Sequence, residues 1–226
     1  MMIARADTAW GEIALRDRDG VTELVVNGVF AMDSREVTSE LALADAAGTP
    51  PGRVLVGGLG LGYTAARLLD AGADLVQVVE LAEPLIGWAR TGVTEQLGRL
   101  ASDPRVQLTS GDIADAVRGT RAEWDAILLD VDNGPSFLIH DVNAGIYTEG
   151  FLARCLEVLT PTGQLVIWCE EASARLAQRL RRVAGGVEPI PIPVTREGRS
   201  LEYVLYRATP APRQHHRERQ PGEPGP

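Results

Sequence analysis

Four glycines crowd the stretch "VLVGGLGLGYTAARLL", Val54 to Leu69: Gly57, Gly58, Gly60 and Gly62. An apolar run precedes them and a helical one follows. Glycine in such a turn lets backbone amides come close to a ligand, and the helix N-terminus behind it favours a polar or anionic group. Three carboxylates follow. Glu80 stands 18 residues beyond Gly62, where an acid can accept both hydroxyls of a ribose. Asp112, in "SGDI", can accept an adenine amino group. Asp130, in "LLDVDNGP" with Asp132 two residues on, puts a third acid at the end of a third successive strand. Each has a plainer reading: close packing for the glycines, a helix cap for Asp112, a rim acid for Asp130, and turn chemistry for Asp132 and Asn133.

The acids also bear on the ligand's charge. An acid-rich rim repels a pyrophosphate, so it disfavours a dinucleotide. A nucleoside with a positive sulfonium and no phosphate suits it better. A sulfonium is already an activated electrophile, so a protein using one mainly has to desolvate, align and deprotonate the nucleophile.

The elements that must position these residues alternate. From Arg53 onward, "RVLVGG", "LVQVVEL", "RVQLTSGD", "WDAILLDVD" and "TGQLVIWCEE" read as strands with helical segments between them. "PIPVTR" and "SLEYVLYRA" pair as a hairpin around Glu197-Gly198. This predicts an α/β, Rossmann-like fold with a mostly parallel seven-stranded sheet and an antiparallel C-terminal hairpin. Asp19-Gly20 and Asn27-Gly28 are turn pairs and predict a small N-terminal β unit. "REVTSELALADAAG" reads as a helix capped by Thr38 or Ser39 and ended by Gly48 and Pro50. The expected units are an N-terminal β-hairpin unit (1–34), a nucleoside-binding catalytic domain (35–208) and a disordered tail (209–226).

The chain has 226 residues, 45% of them hydrophobic, which suits one α/β domain with a small extension. Its net charge of −9 argues against broad contact with nucleic acid. Cys155 and Cys169 have no metal-ligand spacing and read as reduced core thiols; no metal is expected. No apolar run is long enough to cross a membrane, and the N-terminus lacks a signal-peptide pattern, so a cytoplasmic protein is expected, with a homodimer possible. His215 and His216 fall in the tail and read as solvent-exposed.

From about Thr22 to Glu170 the chain resembles the spermidine synthase (aminopropyltransferase) family, whose core is shared with adenosylmethionine-dependent methyltransferases. "LVVNGVF", "VLVGGLGLG", "VVEL", "SGDI", "DAILLDVDNGP" and "IYTEGF" carry the resemblance. It implies a bound adenosylmethionine or its decarboxylated form, held by Gly57, Gly58, Gly60, Gly62, Glu80, Leu81, Asp112, Ile113 and Asp130. It also implies Asp130 and Asp132 as catalytic, and Glu40, Asp132 and Tyr147 beside a small-molecule amine acceptor. The chain departs from the family in three places. Gly60 replaces the aspartate that helps hold the aminopropyl amine. Ser39 and Glu40 replace a Tyr-Gln pair near the amine substrate. The D-S-S-D-P signature reads "DVDNGP".

The resemblance implies an aminopropyl or related alkyl transferase; methyl transfer to a small molecule and a non-catalytic nucleoside-binding protein are the alternatives. His140 and Asp141 fall in an expected lid loop, as an acid/base pair or a loop-positioning contact. Tyr147 closes the pocket or packs in the core. Trp10 is a candidate cover for the nucleoside, and Trp88, Trp124 and Trp168 read as core or strand packing.

Overall fold

The computed structural model describes residues 1–131, 145–196 and 198–212. Four antiparallel strands come first: β1 (Met2–Thr8), β2 (Gly11–Arg18), β3 (Val21–Val26) and β4 (Val29–Asp33), paired in chain order. Asp19-Gly20 and Asn27-Gly28 are the two-residue loops between Arg18↔Val21 and Val26↔Val29. All four loop residues have positive φ, the backbone that matches the twist of the flanking strands. The sequence did not foretell β1. Its residues are exposed or half-buried, with no fully buried apolar position to mark it.

The helix α1 (Thr38–Asp45) follows, but neither Thr38 nor Ser39 caps it. Val37 is the N-cap, with no side-chain hydrogen bond. The Thr38 amide instead donates to the Glu36 carboxylate at 3.0 Å, and the Ser39 hydroxyl donates to Glu40 at 2.8 Å.

Alternation then proceeds as read: β5 (Arg53–Gly57), α2 (Tyr63–Asp70), β6 (Leu75–Glu80), α3 (Glu83–Thr91), α4 (Glu95–Ser102), β7 (Val106–Ser110), α5 (Ile113–Gly119), β8 (Trp124–Leu129), α6 (Glu149–Glu157), β9 (Leu159–Cys169), α7 (Ala174–Val183), β10 (Gly186–Arg196) and β11 (Arg199–Thr209). The sheet order is β10-β11-β9-β8-β5-β6-β7. The five strands from β5 to β9 pair in parallel, and β11 and β10 are antiparallel. The Rossmann-like α/β fold expected from the sequence is thus present, with the antiparallel hairpin at its end.

Side-chain alternation along the strands builds two cores. Val54, Val56, Val76, Val78 and Leu128 face one way, with Leu43, Leu68, Ile86 and Leu97 from α1 to α4. Leu55, Val79, Ile127 and Leu129 face the other way, with Val117, Leu152 and Leu180 from α5 to α7. Each fully buried Leu or Val contributes about 1.5–3 kcal/mol relative to an exposed one. Pro189, Pro191 and Pro193 alternate along the edge strand β10, where a missing N–H breaks no ladder bond if it faces outward.

The chain leaves β5 toward β6 and β7 on one side, then returns to β8 on the other. That reversal opens a crevice at the carboxyl ends of β5 and β8, where open α/β sheets bind ligands.

Candidate active site

The register places the chemistry in a row. Val79, Gly57, Leu129 and Ile167 are level across β6, β5, β8 and β9. One residue further on each strand stand Glu80, Gly58, Asp130 and Trp168. The ladder continues just past the strand ends: the Gly58 amide donates to Val79 O, the Asp130 amide to Gly57 O and the Gly111 amide to Glu80 O, each at 2.9 Å. With neighbouring strands ~4.8 Å apart, the row from Glu80 to Trp168 spans ~14 Å.

All four line one cavity of about 170 Å³, together with Gly60, Leu81, Asp112 and Ile113. Its opposite wall comes from the N-terminal sheet: Thr8, Trp10, Ile13, Leu24, Val26, Ala31 and Met32. Glu40 reaches it from α1. One side is therefore acidic and the other largely apolar.

Two of the four turn glycines reach the cavity. Gly58 has φ +94, and a Cβ there would lie 2.1 Å from the Asp130 carbonyl oxygen, so the turn closes over β8 only with glycine. Gly60 has φ +52, and a Cβ there would meet the Met32 sulfur at 2.7 Å. That sulfur accepts the Leu61 amide at 3.3 Å. Gly57 and Gly62 are outside the cavity lining. A Cβ on Gly57 would meet Ile113 at 2.9 Å, and Gly62 is the N-cap of α2 against Leu100. For those two the packing reading applies.

Glu80 is locked. Its Oε2 accepts the Leu59 amide of the glycine turn and its Oε1 the Ala82 amide, both at 2.8 Å. Burial raises its pKa, and these amide bonds oppose the rise. A carboxylate has about four lone-pair sites, so the fixed oxygens retain capacity for ribose hydroxyls. Asp112 is a helix cap at the edge of the cavity. Its Oδ1 accepts the Ala114 amide at 2.7 Å as the N-cap of α5, while the residue lines the cavity.

Asp130 is half-buried at the centre of the row. Burial first, then the charges of Glu40 and Glu80, push its carboxyl from 3.8 up to about 7. That suits a group that must take a proton near neutral pH. Burial also raises the pKa of Glu40, opposed by the Ser39 hydrogen bond and by Arg196 at longer range.

Asp132, Asn133, His140 and Asp141 lie outside the described residues, as do Glu197, His215 and His216. Tyr147 is 2% exposed, in the core cluster with Phe151 and Leu152, and is not part of the cavity wall. Trp10 does line the cavity. Trp168, expected from the sequence to pack in the core or strand, lines the cavity too. Nothing in the sequence marks Met32 as a cavity residue. The apolar run Leu24-Val25-Val26 is a weak sequence signal for that wall, but nothing local points to Trp168. Cys155 and Cys169 are buried free thiols; burial raises the pKa of both, Cys169 to about 12. Among the described residues no group of His, Cys, Asp and Glu could hold a metal ion, and no helix is long and apolar enough to cross a membrane.

Fold and cavity define a Rossmann-like protein whose N-terminal β-sheet closes the ligand side of the parallel strands. No protein-family model matches the chain. It is 32% identical over 148 residues to the polyamine aminopropyltransferase of Nitrosomonas europaea, covering 62% of this chain and 43% of that protein. It is 26% identical over 176 residues to a polyamine aminopropyltransferase of a Synechococcus strain, covering 73% and 54%. The chain thus spans about half the length of the curated relatives it matches. The crystal structure of spermidine synthase from Thermotoga maritima superposes with a TM-score of 0.75 at 19% identity, over 92% of this chain and 72% of that one. A spermidine synthase in complex with the transition-state analogue AdoDATO gives 0.75 at 18% identity, over 91% and 73%. The resemblance to the spermidine synthase-like family read from the motifs is borne out by these matches.

Proposed function

We propose that the chain is a transferase that moves an aminopropyl group from decarboxylated adenosylmethionine to a small amine. The observation that carries this is Asp130, held level with Glu80 and Gly58 in an acid-rimmed cavity, with its carboxyl pushed up to about 7. The names of the relatives support the same reaction.

In this reading Glu80 and Asp112 hold the ribose and adenine over β6 and β7, with Leu81 and Ile113 against the base. Asp130 accepts a proton from the acceptor ammonium. The freed lone pair attacks the carbon next to sulfur; the new C–N bond forms as the C–S bond breaks. Its electrons return to sulfur, and neutral methylthioadenosine leaves. An alkylammonium has a pKa of about 10, so a base of about 7 still needs desolvation of the amine to favour transfer. The apolar wall of Ile13, Leu24 and Val26 supplies that environment. A cytoplasmic setting fits the two buried thiols.

The test is product identification. The protein is incubated with an alkyl diamine and either adenosylmethionine or its decarboxylated form. Methylthioadenosine from the decarboxylated form is expected. Adenosylhomocysteine as the sole nucleoside product would establish methyl transfer instead, and no product from either would overturn the enzymatic reading.

A further inference from the structure

Trp168 ends the row one strand beyond Asp130, on β9, the side away from Glu80. If the nucleoside lies over β6 and β7 and the reacting nitrogen meets Asp130 on β8, the rest of the acceptor extends toward β9. Two features are found there. Trp168 lines the cavity and is tilted at 60° against Tyr203, with ring centroids 5.0 Å apart. Its Nε1 is buried with no hydrogen-bond partner among the described residues, so the indole offers the cavity carbon rather than an N–H. The second feature is Glu40. It lines the same cavity, has no ion pair among the described residues, and its charge is felt by both Asp130 and Tyr203. Arg196, whose charge acts on Glu40 at longer range, makes its direct contacts elsewhere: with Asp33 at 3.6 Å, with the Glu36 carbonyl at 3.4 Å, and over the Phe30 ring at 4.8 Å.

A carboxylate without a direct ion-pair partner, sharing a cavity with an aromatic surface, suits a desolvated ammonium, which gains from both charge and π-face. Resting on the proposed transfer reaction, we infer that Trp168 is a specificity-determining residue. It closes the acceptor end of the cavity and, with Glu40, receives the second ammonium of a short diamine, so that the indole sets the length of acceptor that fits.

The experiment measures steady-state transfer to a series of unbranched diamines of increasing chain length, and to monoamines of the same lengths, for the wild type, Trp168→Phe, Trp168→Ala and Glu40→Gln. Trp168→Ala is expected to raise kcat/KM for longer diamines relative to the shortest by about tenfold or more, with Trp168→Phe between it and the wild type. Glu40→Gln is expected to raise KM about tenfold for diamines and little for monoamines. KM for the sulfonium nucleoside stays unchanged in all three. Trp168→Phe keeps an aromatic ring on β9, so its length preference is readable even if Trp168→Ala fails to fold. An unaltered length preference in Trp168→Phe, or an equal rise in KM for diamines and monoamines in Glu40→Gln, overturns the inference while transfer by the wild type leaves the function standing. A wild type that transfers to no amine overturns both.

Discussion

Asp130→Asn separates the two consequences of burying an acid. In the folded chain the Asp130 carboxyl sits at about 7 instead of 3.8, chiefly because of burial. Between those values the native state binds more protons than the unfolded state, so stability falls as pH rises. The favourable contribution is complete below about pH 4 and lost as pH passes about 7. At ~1.36 kcal/mol for each tenfold change in proton affinity, the ceiling is roughly 4 kcal/mol. Water entering the cavity screens a half-buried group, and about 2 kcal/mol is the realistic figure. Asparagine stays neutral and keeps the Asp130 amide bond to Gly57 O. The variant should therefore match the wild type near pH 4.5 and be about 2 kcal/mol more stable at pH 8, raising Tm by about 4–8 °C for a chain of this size. It should also lose about 10²–10⁴-fold in transfer rate, the span for a general base. Thermal unfolding at both pH values and a product assay measure the pair. A stability difference equal at the two pH values, or a variant less stable at pH 8, would refute the reasoning.

Removing the charge in Glu40→Gln takes away the largest electrostatic cause of the high Asp130 pKa, so the acid limb of the pH–rate profile should move to lower pH; an unmoved limb would show the two groups are uncoupled. Gly58→Ala should destabilise the fold by about 2–4 kcal/mol, read by urea unfolding, because its Cβ would sit 2.1 Å from the Asp130 carbonyl at φ +94; a loss below about 1 kcal/mol would show that the turn can relax. Asp112→Asn should keep the helix cap and lose nucleoside affinity, whereas Asp112→Ala should also lose about 0.5–2 kcal/mol of stability; calorimetry showing unchanged affinity in both would leave Asp112 a cap alone. Gly60→Asp should bind the decarboxylated nucleoside better than wild type only when combined with Met32→Ala, since the Met32 sulfur occupies the space a Cβ needs; equal affinities of the single and double variants, by titration calorimetry, would exclude that block.

The parallel sheet was legible because alternating apolar runs and helical segments leave a local periodic mark. Gly58, Glu80, Asp112 and Asp130 were legible for a related reason. A turn at positive φ demands glycine, and strands covered on both faces must end in polar residues. Their local chemistry was enough to nominate them. It was not enough to say that Gly57 and Gly62 serve packing, since that depends on Ile113 and Leu100, which no turn pattern reveals. Nor could it give Asp130 its raised pKa, because the burial that chiefly raises it is tertiary and the assisting charges come from α1 and β6, far away along the chain. For Tyr147 the sequence leaves pocket and core equally open, and it is core; Trp168 reads as core or strand packing and is pocket wall. An aromatic residue beside a buried strand looks the same in either role. Only the order β6-β5-β8-β9 and its register put Trp168 level with Asp130, and only the folding of the N-terminal sheet over the strand ends brought Met32 against Gly60. Side-chain type is a local property, whereas facing a cavity depends on which distant strands pair, and that is decided by tertiary packing.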